Sequence, residues 1–131
     1  MTKSADDIQI GGGHYKKWKV QPYKMMIVMN GIQGHILSYL LRTKGEDDIQ
    51  KAMHYCDLAL EDMQYIQDNT PEKVNRRTRL MIDWMNVNGV HNLDDRKLLM
   101  EIACQSYTRA KIRMGTRLMH NRLGVDPNNP R

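Results

Sequence analysis

"GHILSYLLRTKGEDDIQKAMHYCDLALED", residues 34–62, decides the fold. In its second half Ile49, Ala52, Met53, Cys56, Ala59 and Leu60 recur every three or four positions, and Met63 and Ile66 continue the series. That period lays them along one side of an α-helix. The acidic "EDD" at 46–48 suits the positive end of its dipole. Before it, Lys44-Gly45 closes a shorter helix over about residues 33–43. The turn between the two helices is short, so groups on either side of it fold back towards each other. Tyr39, Arg42, Lys44, Asp48, Lys51 and Tyr55 all gather there.

Working outward, Pro22 suits a first helical turn, "PYKMMIVMN" runs on from it, and Gly31 supplies a left-handed stop. Thr70-Pro71 opens a fourth helix that closes near Gly89. Asn92 caps a fifth, with Asp94 and Asp95 in its first turn and Gly124 at its end. No segment alternates with period two for long enough to make a strand. The expected fold is all-α, about five helices in a compact bundle. Residues 1–13, with "GGG" at 11–13, read as a loose arm. Residues 14–68 hold the candidate site, and residues 69–131 form a C-terminal helical pair in the same domain.

The fifth helix carries Leu99, Ala103, Tyr107, Ala110, Met114 and Leu118 as one stripe, with Ile112, Met119 and Leu123 nearly opposite. Apolar groups on two sides ask for a second partner, and a second copy of the chain is expected to supply it. Scattered exposed apolar residues are the plainer alternative.

Composition sets the limits. The chain has 131 residues, 40% apolar and 27% charged, which is ordinary for a soluble globular domain. No apolar run is long enough to cross a bilayer, and the first residues lack a signal-peptide pattern, so a cytoplasmic protein is expected. Cys56 and Cys104 stand apart and read as buried small hydrophobes, which leaves no ligand set for structural zinc. Eleven Met and no Phe fit an adaptable core, or a compositional bias of the source. A net charge of +5 and a pI of about 9.3 favour anionic partners.

Familiar catalytic signatures are missing: there is no GxxxxGK[ST] loop, no HExxH, no serine elbow and no HxE…CxxC. His54 is followed by Tyr55, so the His-Asp dipeptide of metal phosphohydrolases is absent too. Glu46, Asp47, Asp48, Asp57, Glu61 and Asp62 make no paired ExxE ladder, and helix-start and solvent-face roles account for most of them. No cofactor or metal is firmly implied.

The turn itself remains. Asp48, Lys51 and Tyr55 flank the apolar stripe of the third helix, while Tyr39 and Arg42 sit three apart near the end of the second. A guanidinium, an ammonium and a phenol converging at a helix start suit an anion with a planar base attached. Asp48 would orient Arg42 or Lys51, or bind a sugar hydroxyl. Alternatively, Arg42 and Asp48 simply staple an ion-paired hairpin. His14 and Tyr15 would close the site from the arm, or His14 caps a helix; Trp18 anchors the arm to the body, with base stacking the alternative.

His14-Tyr15, a spacer, a helix, then "ILSYLLRTKG-EDDIQKAMHY" resembles a family of small bacteriophage proteins. Its pattern runs roughly HY, then N-[AI]-[IL]-K-Y-x-x-R-[AT]-G-K, then E-D-[LI]-x-K-A-x-x-Y. The family includes the phage nucleotide kinase that lacks a P-loop and phosphorylates deoxynucleoside monophosphates. The resemblance covers about residues 14–62. His14, Tyr15, Tyr39, Arg42, Asp48, Lys51, Ala52 and Tyr55 fit the pattern; His35 and Ser38 stand where it has Asn and Lys. It implies a nucleotide ligand, with ATP as phosphoryl donor if the protein is a kinase and the magnesium requirement open. Loss of the lysine weakens the case for catalysis more than the case for binding.

Two other functions fit the residues. One is a non-catalytic protein that sequesters a nucleotide or signalling molecule, as an antagonist of host defence. The other is a basic adaptor for nucleic acid or protein, using Arg109, Arg113 and Arg117 at successive i+4 positions and the three arginines of "RRTR" at 76–79. Those arginines equally read as a solvated face, or as partners for acids of a neighbouring subunit.

Overall fold

A computed structural model of the chain describes residues 22–42, 47–63, 67–68 and 70–117. Among these residues all regular structure is helical. The described residues form six helices: α1 (Tyr23–Met26), α2 (Gly31–Arg42), α3 (Asp47–Glu61), α4 (Pro71–Val87), α5 (Leu93–Ala103) and α6 (Tyr107–Arg117). The expected arm, residues 1–13, lies outside the described residues.

The helices form two rings that share an edge. In one, α2 packs on α3, α3 on α6, α6 on α5, and α5 back on α2. In the other, α2 and α5 are joined through α1 and α4. One core fills both rings, taking Leu37 and Leu41 from α2, Ala52, Cys56 and Ala59 from α3, and Met81 and Trp84 from α4. Leu98, Leu99 and Ile102 of α5 and Ala110 and Met114 of α6 complete it. No helix among the described residues is long and apolar enough to cross a membrane.

The α3 periodicity is borne out at Ile49, Ala52, Cys56 and Ala59, all buried. Leu60 departs from it and is exposed. Cys56 lies in the core, whereas Cys104 is half-buried. Ile112 is 69% exposed, opposite the buried stripe of its helix, while Met119 and Leu123 lie outside the described residues.

Two boundaries differ from expectation. Gly31 starts α2 instead of ending the helix before it, so α1 is a single turn. The cause is a reciprocal cap: Asn30 Oδ1 accepts from Gln33 N at 2.8 Å, and Gln33 Oε1 accepts from Asn30 N at 3.0 Å. This satisfies two amides that a helix start otherwise leaves orphaned.

The expected long fifth helix is broken at 104–106 into α5 and α6. Ser106 N donates to Glu101 O at 2.8 Å and Gln105 N to Ile102 O at 3.0 Å, the bond pair of a Schellman stop. Gln105 sits at φ 59°, where glycine is the usual occupant; Gly89 fills the same position after α4 at φ 68°. The left-handed conformation costs a residue with a Cβ about 1–2 kcal/mol. Gln105 offsets part of that through its side chain, whose Oε1 accepts from Asp68 N at 2.8 Å.

Tyr107, the first residue of α6, is buried with its hydroxyl outside hydrogen-bonding geometry; Asn30's side chain is the polar group that acts on it. Burial pushes the phenol up to about 12 from an ordinary 10.0, with Asn30 opposing. Burial likewise pushes the Cys56 thiol up to about 12 from 9.0, with Asp57 adding to the rise. Each group keeps its proton in the folded chain at a pH where the unfolded chain has lost it. Stability is therefore complete below about pH 9 and falls as pH rises towards 12. Tyr107→Phe should flatten this alkaline limb in urea titrations repeated from pH 8 to pH 11. At pH 7 it should be neutral or stabilising by up to about 1 kcal/mol, because the buried hydroxyl it removes meets no partner in hydrogen-bonding geometry among the described residues, Asn30 acting on it only weakly. A loss above about 1 kcal/mol at pH 7 would show that the hydroxyl is satisfied.

Candidate functional site

The packing of α2 against α3 places three of the expected residues together. Tyr39 and Tyr55 stack with ring centroids 5.8 Å apart, and Lys51 Nζ stands 5.6 Å from the Tyr39 centroid. They line an open cleft of about 520 Å³ together with Asp47, Gln50 and His54. Lys51 and His54 are exposed, while both tyrosines are half-buried with their inner edges against the core.

Helix arithmetic accounts for the arrangement. Lys51 and Tyr55 are one turn apart on α3, and Asp47 lies one turn before Lys51, so a single ridge carries acid, cation and ring. His35 lies one turn before Tyr39 on α2 and reaches the same ring from the other helix. It stacks on Tyr55 with centroids 4.8 Å apart and planes 5° from parallel, while His54 meets Tyr55 edge-on at 6.2 Å.

Of the remaining expected site residues, His14, Tyr15 and Lys44 lie outside the described residues, as does the side chain of Arg42. Asp48 is buried, and its neighbour Asp47 takes the place in the cleft lining. The α3 stripe explains this: Asp48 falls a turn before Ala52, on the inner face, whereas Asp47 falls outside it.

His35, His54, Asp47 and Gln50 were missed by sequence reasoning. The signal lies in the i, i+4 pairs His35–Tyr39, Asp47–Lys51 and Gln50–His54, which a pattern of cations alone does not pick out. Within the described lining the formal charges of Asp47 and Lys51 cancel, so ring faces dominate what the cleft offers. No group of three or more His, Cys, Asp or Glu suited to holding a metal ion occurs among the described residues.

In the second expected feature, the arginine row on α6, the middle member Arg113 is already paired. Arg113 grips Glu101 with both sides of its fork, Nη2 to Oε1 at 2.7 Å and Nε to Oε2 at 3.2 Å, and reaches Asp94 at 3.4 Å. The Glu101 hydrogen bond raises the Arg113 pKa further, so its charge is both permanent and neutralised. The acids come from α5 of the same chain, not from a neighbouring subunit. Arg109 has no ion pair among the described residues, and the side chain of Arg117 lies outside them.

Comparison with protein-family models, curated proteins and solved structures finds no match to the chain.

Proposed function

We propose that the protein binds a nucleoside phosphate in the α2–α3 cleft, with the base against the tyrosine rings and the phosphate on Lys51. The observation that carries this reading is the stacked Tyr39–Tyr55 pair beside the Lys51 ammonium in one open cleft. Every base has a π-face, and stacking on an aromatic side chain contributes about 1–3 kcal/mol per base. Asp47 is suited to accept from a sugar hydroxyl. The cleft volume falls in the range of small-molecule sites. The resemblance to small bacteriophage proteins supports the same ligand class and adds a reaction, phosphoryl transfer from ATP to a deoxynucleoside monophosphate. Such transfer depends on positioned charge more than on covalent chemistry. On this reading the protein works in the cytoplasm of a host cell, where nucleotides reside and thiols such as Cys56 stay reduced.

Calorimetry against ATP and each deoxynucleoside monophosphate tests it. Lys51→Ala should weaken the bound nucleotide roughly tenfold, the cost of one charge-assisted contact. Tyr55→Phe, which keeps the ring, should bind as the parent does. Diphosphate formed from any monophosphate supports the transferase; ligand recovered unchanged after denaturation supports sequestration. No binding of any nucleotide, or binding indifferent to Lys51→Ala, defeats the assignment.

A further inference from the structure

The "RRTR" run at 76–79 finds a use at the opposite end of α2. There a second cleft, of about 360 Å³, is lined by Lys73, Arg76 and Arg77 of α4, by Asn30 and Gln33 at the start of α2, and by the turn at Ile27–Met29. Three cations face one acid, Asp68, which Lys73 engages at 2.8 Å and holds at a pKa of about 2. The formal charge left over among these groups is two positive units (three cations less one carboxylate). Among the described residues the α2–α3 cleft has no such surplus.

Arg77 is the unusual member. It is 3% exposed, yet no carboxylate among the described residues pairs with it. Its Nε donates to Ala103 O and its Nη2 to Asp68 O, each at 2.8 Å. The third nitrogen, Nη1, has no partner among the described residues. Arg76 beside it is exposed and likewise makes no ion pair or hydrogen bond among them. Two of its nitrogens are held by carbonyls, and the guanidinium lines the cleft wall with Nη1 donors left over for a ligand. An anion in the cleft would accept from them.

We infer that this cleft is a binding site for a small phosphate monoester with an apolar body. A phosphate monoester carries about two negative charges at neutral pH, matching the surplus, whereas a carboxylate carries one. Its oxygens suit the arginine fork. Residues near the starts of α2 and α4 line the cleft, so the positive ends of both helix dipoles add to the attraction. The body has a surface to meet in Ile27, which is 68% exposed, with Val28 and Met29 beside it. The inference stands independently of the α2–α3 reading, since it uses none of the same side chains.

Titration of the full chain with phenyl phosphate, inorganic phosphate and benzoate at low salt tests it. Phenyl phosphate should saturate and bind more tightly than either of the others. Arg76→Ala, an exposed position that leaves the core intact, should weaken it roughly tenfold. Lys51→Ala should leave it unchanged, so that failure here and failure at the α2–α3 cleft can be told apart. Absence of saturable binding, an affinity indifferent to Arg76→Ala, or an equal loss in Lys51→Ala would overturn the site. Benzoate binding as tightly as phenyl phosphate would overturn the phosphate assignment.

Discussion

Replacing Arg77 with alanine is expected to remove about 3 kcal/mol of folding stability, a large share of what a domain of this size possesses. The guanidinium ties three parts of the chain together. It projects from α4, donates to the last carbonyl of α5 at Ala103, and reaches across to Asp68 O before α4 begins. A cation at the C-terminal end of α5 also opposes the negative end of that helix's dipole. Hydrogen bonds to a charged group contribute about 1.5–3 kcal/mol each, and removing the donors takes this partner from the half-buried Asp68 carbonyl. Relief of the guanidinium's own desolvation offsets part of the loss, which is why the expectation lies below the sum. Ala103 O retains Gln33 Nε2 at 3.3 Å as a second donor, so the helix end is weakened rather than abandoned. Arg77→Lys should recover less than half, since one ammonium cannot span both carbonyls. Urea titration followed at 222 nm reads the midpoint. A loss of less than about 1 kcal/mol would mean that the guanidinium is dispensable to the fold.

Trp84→Ala should cost as much or more, roughly 3–5 kcal/mol. Arg77, Met81, Trp84 and Met85 share the inner face of α4, and all four are buried. Trp84 is the largest of them, so its truncation opens the biggest void between α4 and its neighbours α1 and α5. Methionines nearby can swing into a gap, which sets how much of the void survives. Trp84→Phe retains an aromatic ring and should lose less than half as much. The same titration, with the denaturant slope unchanged, separates lost packing from a change in the unfolded chain. An alanine variant within about 1 kcal/mol of the parent would place Trp84 outside the cooperative core.

Arg77 also shows where sequence reading stops. It lies in "RRTR" between Arg76 and Arg79, both exposed, and by composition the three are alike. Its spacing to Met81 and Trp84 does put it on the apolar face, a signal that a count of charges passes over. Even so, that spacing says only that it points inward; the carbonyls it finds belong to Ala103 and Asp68, far along the chain. Gln33 is the same case, a fully buried amide whose Nε2 donates to Ile102 O at 2.9 Å. In the candidate site, Lys51 and Tyr55 were readable from α3 alone, while His35 joins them only because α2 folds against it.

What the chain order alone determined was therefore local. The all-α class, the span of α4 from Pro71, the Asn92 cap and the inner stripe of α3 follow from contacts within a turn or two, where spacing and geometry are the same thing. Tertiary structure decided which polar side chains go inside and where the last long helix breaks. Cys104-Gln105-Ser106 contains neither glycine nor proline, and the Asp68 amide that meets the side chain of the left-handed Gln105 offsets part of its cost. A conformation that is unfavourable by itself becomes stable when a distant segment supplies the compensating bond, and no window of neighbouring residues carries that information.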